Sequence, residues 1–185
     1  QYEKDFAVRI ALDDLDLEDA ILENDEGEFV LNDEIINNEK NWVDASEKKI
    51  SPELYWYGYV KSGSESMKLM TITEAFDSDL HEYFKDLATK QKARGIPLTA
   101  IEIPEEDAKS IQIQLSDHFK ILASQGKLHF DIKPQNTVCK TVDGVLIVKL
   151  IDMDADWCQK KGFAKPGAGI DKKLNQINCY YLMNM

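Results

Sequence analysis

Apolar residues along the chain follow two repeating patterns, one typical of short strands and the other of amphipathic helices. Continuous or alternating apolar runs, which predict strands, cover residues 6–12, 54–61 and 67–73. The polar segment 62–66 between the last two runs predicts a hairpin turn. Thr141-Val142-Asp143-Gly144 predicts a second turn, between two short strands. We therefore expect a small antiparallel sheet in the first half of the chain and a separate hairpin in the second half.

The helical pattern occurs in three segments. The first begins at a cap on Asn32 or Asp33 and runs to about Ala45, the second covers residues 80–89, and the third follows Pro104 and ends near Gly126. Apolar residues recur there at the spacing of one helix face: Ile35 and Trp42, with Ile36 and Val43 as further members; Leu80, Tyr83, Phe84 and Leu87; and Ile111, Leu115, Phe119 and Leu122. We expect these stripes, and the aromatic residues of the predicted strands, to pack in the core.

Size and composition limit the possible classes of protein. With 185 residues, 43% of them hydrophobic, the chain can bury a core as one domain or as a two-lobed unit. Its net charge of −12 argues against nucleic acid or an anionic membrane as partner, because either requires clustered cations. No apolar run reaches the length of a membrane span, and no basic-then-apolar leader is visible at Gln1. The three cysteines show no metal or disulfide spacing, so we expect reduced thiols and an intracellular, cytoplasmic location.

An acidic stretch, residues 13–28, separates the first predicted strand from the first helix. A calcium loop needs an oxygen ligand at its first position and Gly at its sixth. With Gly27 as the sixth residue, the first position falls on Leu22, which has no ligand oxygen. We therefore interpret residues 13–28 as a solvated insertion.

The residues best suited to chemistry lie in the segment 129–136, His-Phe-Asp-Ile-Lys-Pro-Gln-Asn, and in Asp152-Met153-Asp154 after the apolar run Val145 to Ile151. Asp131, Lys133 and Asn136 can converge on one small volume, and the hairpin can bring Asp152 to the same place. Phosphoryl transfer needs such a set: a carboxylate beside the attacking hydroxyl, a cation at the phosphoryl group, and an Asn and an Asp that hold Mg²⁺. An ordinary turn capped by Asp and Asn is the competing interpretation.

This pattern resembles the catalytic loop and metal-binding triplet of the protein kinase superfamily, with Phe130 where Arg is usual and Asp154 where Gly is usual. The resemblance implies a two-lobed α+β fold of the serine/threonine kinase type. An incomplete N-lobe with a small antiparallel sheet would occupy residues 1–76, and an incomplete, mainly helical C-lobe residues 77–185. It implies ATP and Mg²⁺ as cofactors, Asp131 and Lys133 as catalytic residues, and Asn136 and Asp152 as metal ligands. His129 and Met153 would pack in the core.

The same resemblance implies a nucleotide site. Ala7-Val8-Arg9 is similar to the segment that carries the nucleotide-binding Lys, so Arg9 stands in the position of that Lys. Glu39 would be the helix residue that pairs with this cation, and Glu34 is a weaker candidate. Thr73-Glu74-Ala75-Phe76 is similar to the gatekeeper and hinge that receive adenine. Asp79 is placed like the acidic ribose contact.

Several departures bear on activity. Arg is larger than Lys and forks its donors, so this exchange at a phosphate site is not conservative. Nothing similar to a Gly-rich loop precedes Phe6, and nothing similar to Ala-Pro-Glu follows Asp154. We therefore expect a fragment or reduced form of a kinase acting on Ser or Thr of a protein substrate. The alternative is a kinase-like pseudoenzyme that binds a protein partner, with weak or no nucleotide binding. A small-molecule kinase of related fold also stays open, although Pro134 favours the protein kinases.

Overall fold

Antiparallel sheets and helices make up the part of the chain that the structure describes, which confirms the predicted α+β class. The computed structural model describes residues 5–10, 15–16, 21–23, 25–31, 33–64, 66–127, 129 and 132–153, with the backbone alone for 15–16, 21–22, 29–31 and 33–39. Two units can be distinguished: the described residues up to Ala75 together with Met153, and those of Phe76–Asp152. The predicted boundary after residue 76 lies one residue from this division.

The first unit is built around a long central strand. Along the chain it contains β1 (Phe6–Ile10), β2 (Leu15–Asp16), β3 (Ile21–Glu23), β4 (Phe29–Leu31), α1 (Asp33–Glu47), β5 (Leu54–Lys61) and β6 (Ser66–Glu74). Strands β1, β2 and β5 all pair antiparallel with β6, and β3 pairs with β4 in a separate ribbon. The predicted strands 54–61 and 67–73 and the hairpin between them are therefore confirmed. The first predicted strand is confirmed for residues 6–10, and residues 11–12 lie outside the described part of the chain.

The two faces of this sheet have different surroundings. Residues directly opposite in an antiparallel pair share a face, so the register Arg9↔Thr71↔Tyr57 defines one face. The Arg9 guanidinium lies 5.9 Å from the ring centroid of Trp42, so α1 covers this face. On the other face of β1, Phe6, Val8 and Ile10 are 63%, 52% and 51% exposed.

The aromatic residues of the first unit are only partly in the core. Trp42 is buried, as expected, but Tyr55 and Trp56 of β5 are exposed, so the prediction is wrong for these two residues. The reason is the position of β5, which pairs with β6 alone in the described sheet. A strand at a sheet edge leaves part of its side chains in water.

The second unit joins a small sheet to two helices. It contains β7 (Ser78–Asp79), α2 (Leu80–Ala93), α3 (Glu105–Ser124), a 3-10 turn (Pro134–Asn136), β8 (Thr137–Val142) and β9 (Val145–Leu150). The strands pair antiparallel in the order β7-β8-β9. Asp143 and Gly144 between β8 and β9 both have positive φ, 51° and 80°. Two left-handed residues form the tight turn whose twist suits a two-residue hairpin.

The core of the second unit lies between α3 and the hairpin. Ile111, Leu115, Phe119 and Leu122 are all buried, which confirms the predicted stripe. They pack on the side of β9 that carries Leu146, Val148 and Leu150, which are also buried. These alternate positions face one side of a strand. The packing fixes the hairpin against the helix that precedes the loop 129–136.

Several elements differ from the prediction. Helix α2 continues to Ala93, past the expected end at residue 89, because Lys90, Gln91 and Lys92 are good helix formers despite their polarity. The Gln91 side chain bonds to Pro97 O, Ala100 O and Glu102 N, and these bonds order the polar segment that follows the helix. The two-residue β7 and the short strands inside the acidic stretch 13–28 were also not expected. Among the described residues, no helix has both the length and the apolar character needed to cross a membrane.

Candidate functional site

The loop 129–136 and the end of β9 are joined by backbone contacts. The ladder of β8 and β9 pairs Thr137 with Leu150, and one position further the Ile151 N–H donates to Asn136 O at 3.0 Å. The buried His129 ring donates from Nε2 to Ile151 O at 2.8 Å. Asn136 at the end of the loop and His129 at its start therefore both bond to Ile151, the residue that directly precedes Asp152.

A single 3-10 turn shapes the loop between Lys133 and Asn136. Pro134 occupies its first position, where a fixed φ is favourable and no N–H is required. The turn closes through a bond from Asn136 N to Lys133 O at 3.0 Å. Lys133 is exposed, whereas Asn136 is 5% exposed. Lys133 thus lies at the surface, whereas Asn136 is enclosed beside the hairpin.

Asp152 has an unusual backbone conformation. Its φ is +60°, in the left-handed region that costs free energy for any residue with a Cβ. Such residues concentrate at functional sites, where the surrounding structure imposes the conformation. Here the preceding residue is held by Asn136 and by His129, and the following Met153 is 1% exposed. Asp152 therefore directly follows a residue that two hydrogen bonds hold in place.

The side chains at this junction suit a hard divalent cation. Asn136 supplies an amide oxygen and Asp152 a carboxylate, and Mg²⁺ is bound by oxygen ligands, often with only one or two from the protein and the rest from water and phosphates. Within the described ranges, no group of three or more His, Cys, Asp and Glu side chains is gathered for a metal. A Mg²⁺ ion shared with a nucleotide does not require such a group.

Part of the predicted site lies outside the described residues. Asp131, the predicted base, is among these, as are Phe130 and Asp154. Their neighbours His129, Ile132 and Met153 are described, and all three are buried. The predicted packing roles of His129 and Met153 agree with this burial.

The predicted nucleotide-binding cation, Arg9, belongs to the first unit. It is exposed on β1, and its guanidinium stacks over Trp42 of α1. Glu39 lies on α1 three residues before Trp42, and Glu34 lies in the first turns of the same helix. Positions three apart share a helix face. The side chains of Glu39 and Glu34 lie outside the description, so the ion pair with Arg9 stays a prediction.

The predicted hinge residues lie at the end of β6 and after it. Glu74 N donates to Glu53 O at 2.8 Å, and a Glu74 carboxylate oxygen accepts from Glu53 N at 3.2 Å. Thr73 Oγ1 donates to Glu74 O at 3.3 Å. Glu74 is thus held at the end of the sheet in the first unit.

Phe76 and Asp79 belong to the second unit and have structural partners there. The Lys140 ammonium lies 4.8 Å from the Phe76 ring centroid. Asp79 is the N-cap of α2, where its Oδ1 accepts from Glu82 N at 2.9 Å. A capping role therefore accounts for an acid at this position without any nucleotide, and the ribose contact stays a prediction.

Polar residues of α3 that the sequence patterns did not indicate bond to β9. Gln114 Nε2 donates to Leu146 O at 2.8 Å, its Oε1 accepts from Val148 N at 3.1 Å, and His118 Nε2 donates to Val148 O at 3.1 Å. Burial lowers the pKa of His118. Burial likewise raises the pKa of the Cys139 thiol on β8, which leaves it protonated and a poor nucleophile. The sequence did contain a signal for these bonds, because the polar residues Ser110, Gln114 and His118 recur every four positions beside the apolar stripe of α3.

Comparisons with known proteins add no family to this description. No protein-family model matches the chain, and no curated protein matches it.

Proposed function

We propose that this chain carries the catalytic part of an ATP- and Mg²⁺-dependent phosphotransferase of the protein kinase type, acting on Ser or Thr hydroxyls of a protein. The observation that carries the proposal is the contact from Ile151 N to Asn136 O, because Asp152, the second residue that the motif assigns to the metal, directly follows Ile151 in the chain. The left-handed backbone of Asp152 supports it further, since strain of this kind is typical of functional sites.

Each residue then has a defined task. Asp131 accepts or orients the proton of the attacking hydroxyl, and Lys133 balances the charge of the transferred phosphoryl group. Asn136 and Asp152 hold Mg²⁺, which when bound neutralises charge on the phosphate oxygens. The exposure of Lys133 suits a cation that has to reach a phosphate arriving from solution. His129 holds the junction through its bond to Ile151 O.

We assign the nucleotide to Arg9, Glu39 and Glu74 of the first unit, while the contacts with Phe76 and Asp79 stay predictions of the resemblance. The support is the order of elements, in which a strand carrying the cation precedes a helix carrying an acid and then two strands that end at the hinge. Strand β1 pairs with the hinge-bearing β6, with Ala7 opposite Thr73. The two segments similar to the family's nucleotide-binding motifs are therefore neighbours in one sheet.

A pseudoenzyme that binds a protein partner is the second candidate, and one observation favours it. The Arg9 guanidinium lies over the Trp42 ring, a stacked contact that suits Arg better than Lys. A structural cation at the position of the phosphate-binding Lys would leave the nucleotide with fewer contacts. In that case the chain would bind Mg·ATP weakly or not at all.

The decisive experiment is a thermal-shift and calorimetric titration with ATP, in the presence and absence of Mg²⁺. We expect a shift that needs both components and that Asp152→Asn abolishes, because Asn keeps the shape and removes the charge. Asp143→Asn is the matched control, since Asp143 also has positive φ and lies at the other end of the same hairpin. A wild-type protein that does not respond to millimolar Mg·ATP would support the pseudoenzyme. Transfer of labelled phosphate to a protein substrate distinguishes an active kinase from a kinase-like protein that binds nucleotide without catalysis.

A further inference from the structure

Strand β9 lies at the edge of the described sheet, and side chains of α3 form hydrogen bonds with the backbone groups on its outer side. In the described sheet, β9 pairs only with β8, so its alternate backbone groups point away from the ladder. Ser110 Oγ and Gln114 Nε2 donate to Leu146 O at 2.7 and 2.8 Å. Gln114 Oε1 accepts from Val148 N, and His118 Nε2 donates to Val148 O. We call Ser110, Gln114 and His118 the edge ladder.

The spacing of the edge ladder matches the spacing of the strand. Four residues of a helix rise by about 6 Å, and two residues of a strand by about 6.7 Å. Gln114 and His118 are therefore about as far apart along α3 as Leu146 and Val148 are along β9. Helix and strand run in the same direction here, because the later helix residue bonds to the later strand residue. The hairpin can make all these bonds at one position along α3 only.

Two other features leave this lengthwise position open. The turn at Asp143 and Gly144 fixes the register of β8 on β9, and with it the neighbourhood of Asn136 and Asp152. It does not fix where the hairpin lies along the helix. The apolar residues of β9 repeat every second position, so a shift by two residues would again present apolar side chains to α3. Such a shift would move Ile151 by about 6.7 Å and break its bond to His129.

We propose that the edge ladder is a positioning device, which sets the hairpin along α3 and so places Ile151, and Asp152 after it, beside His129 at the start of the loop. The proposal rests on the proposed function in one respect, the role of Asp152 as a metal ligand. Ser110, Gln114 and His118 are positioning residues that act through β9. Their loss displaces or loosens the end of β9 more than the rest of the second unit.

The test replaces Gln114 by Met, which has similar length and no hydrogen-bonding amide, and compares it with Gln112→Met on the exposed side of the same helix. Hydrogen exchange is measured at the amides of Val148 and Ile151, and the His129 ring is followed by NMR. In Gln114→Met we expect exchange at both amides to be at least about tenfold faster than in Gln112→Met, with a changed His129 signal. Uniformly faster exchange through the unit with an unchanged His129 signal would overturn the proposal. If Gln114→Met fails to fold, the same measurements are made on Ser110→Ala, which removes one hydrogen-bond donor.

A second measurement separates positioning from stability. Mn²⁺ binding in the presence of ATP is followed by electron paramagnetic resonance at a temperature where every variant is folded. We expect Gln114→Met to bind about tenfold more weakly, as outer residues around metal sites do when they are lost, while Gln112→Met and the donor-retaining His118→Gln stay near wild type. Unchanged Mn²⁺ affinity in Gln114→Met would show that the ladder only stabilises the fold. If the wild type binds no Mn²⁺, the metal function fails, and the exchange and His129 data still decide the positioning role.

Discussion

At the scale of single residues, the backbone conformation of Asp152 is a feature that a sequence pattern cannot predict. The motif assigned Asp152 to a metal, but its left-handed φ of +60° depends on the residues on either side of it in the folded chain. A carboxylate held in a strained backbone conformation has fewer alternative positions, which favours a fixed ligand geometry. This strain can be measured separately from the charge.

Comparing Asp152→Ala with Asp152→Gly isolates the backbone strain, because both variants lose the carboxylate. Ala normally stabilises relative to Gly by restricting the unfolded chain, but a Cβ at positive φ reverses the order. We therefore expect Asp152→Ala to be about 1 kcal/mol less stable than Asp152→Gly, as measured by urea denaturation. The same pair at Asp143, where φ is 51°, provides a positive control. If the Ala variant at residue 152 is the more stable one, the conformation there is not left-handed in solution.

His118 predicts a dependence of stability on pH. Burial lowers its pKa below the ordinary value of 6.5, with a further lowering by Lys149 and opposing effects from the bond to Val148 O and from Asp117. Below pH 6.5 the unfolded chain therefore binds a proton that the folded chain does not. Stability falls as the pH falls from 6.5 to the folded-state pKa, by at most about 1.4 kcal/mol per pH unit.

The difference in unfolding free energy between wild type and His118→Gln isolates this contribution. Gln can keep a donor for Val148 O and does not titrate. We expect the wild type to lose more stability than His118→Gln between pH 7 and pH 5, in urea titrations at each pH. Parallel curves for the two proteins would mean that His118 is not buried as a neutral side chain.

At the scale of elements, α2 and α3 are linked by one short polar contact. The Tyr83 hydroxyl donates to Asp107 Oδ2 at 2.6 Å, and burial together with this carboxylate raises the pKa of Tyr83 far above its ordinary value. Tyr83→Phe should lower the unfolding free energy by about 1 kcal/mol. Tyr57→Phe on β5 of the first unit is the control and should change little, since no hydrogen bond of its hydroxyl is seen among the described residues. Equal effects of the two substitutions in denaturant titrations would show that the contact contributes nothing.

The sequence predicted most of these elements because their apolar residues are regularly spaced. Ile111, Leu115, Phe119 and Leu122 repeat once per turn and are buried together. The two residues of β7 could not be predicted, since a pair of polar residues has no periodicity and becomes a strand only beside β8. The edge ladder was also missed, because polar residues on a helix normally face water and only the position of β9 gives them partners.

At the scale of the whole molecule, the motif alone predicted that the loop 129–136 and Asp152 lie close together. It did not predict which atoms join them. The bonds that join them, from Ile151 to Asn136 and from His129 to Ile151, involve backbone groups that every residue type carries. Sequence patterns identify side chains and say little about such bonds. The pairing of Arg9 with Glu39 and the role of Asp131 stay predictions.

The pairing of β1 with β6 also has a consequence for how the chain is made. Phe6 pairs with Glu74, and Ile10 with Met70, so β1 leaves the ribosome long before the strand with which it pairs. Closing so long a stretch of chain is entropically costly and slow compared with forming the β8–β9 hairpin. Until β6 emerges, Phe6, Val8 and Ile10 form an unpaired apolar strand, the kind of segment that chaperones bind and that aggregates when they are absent.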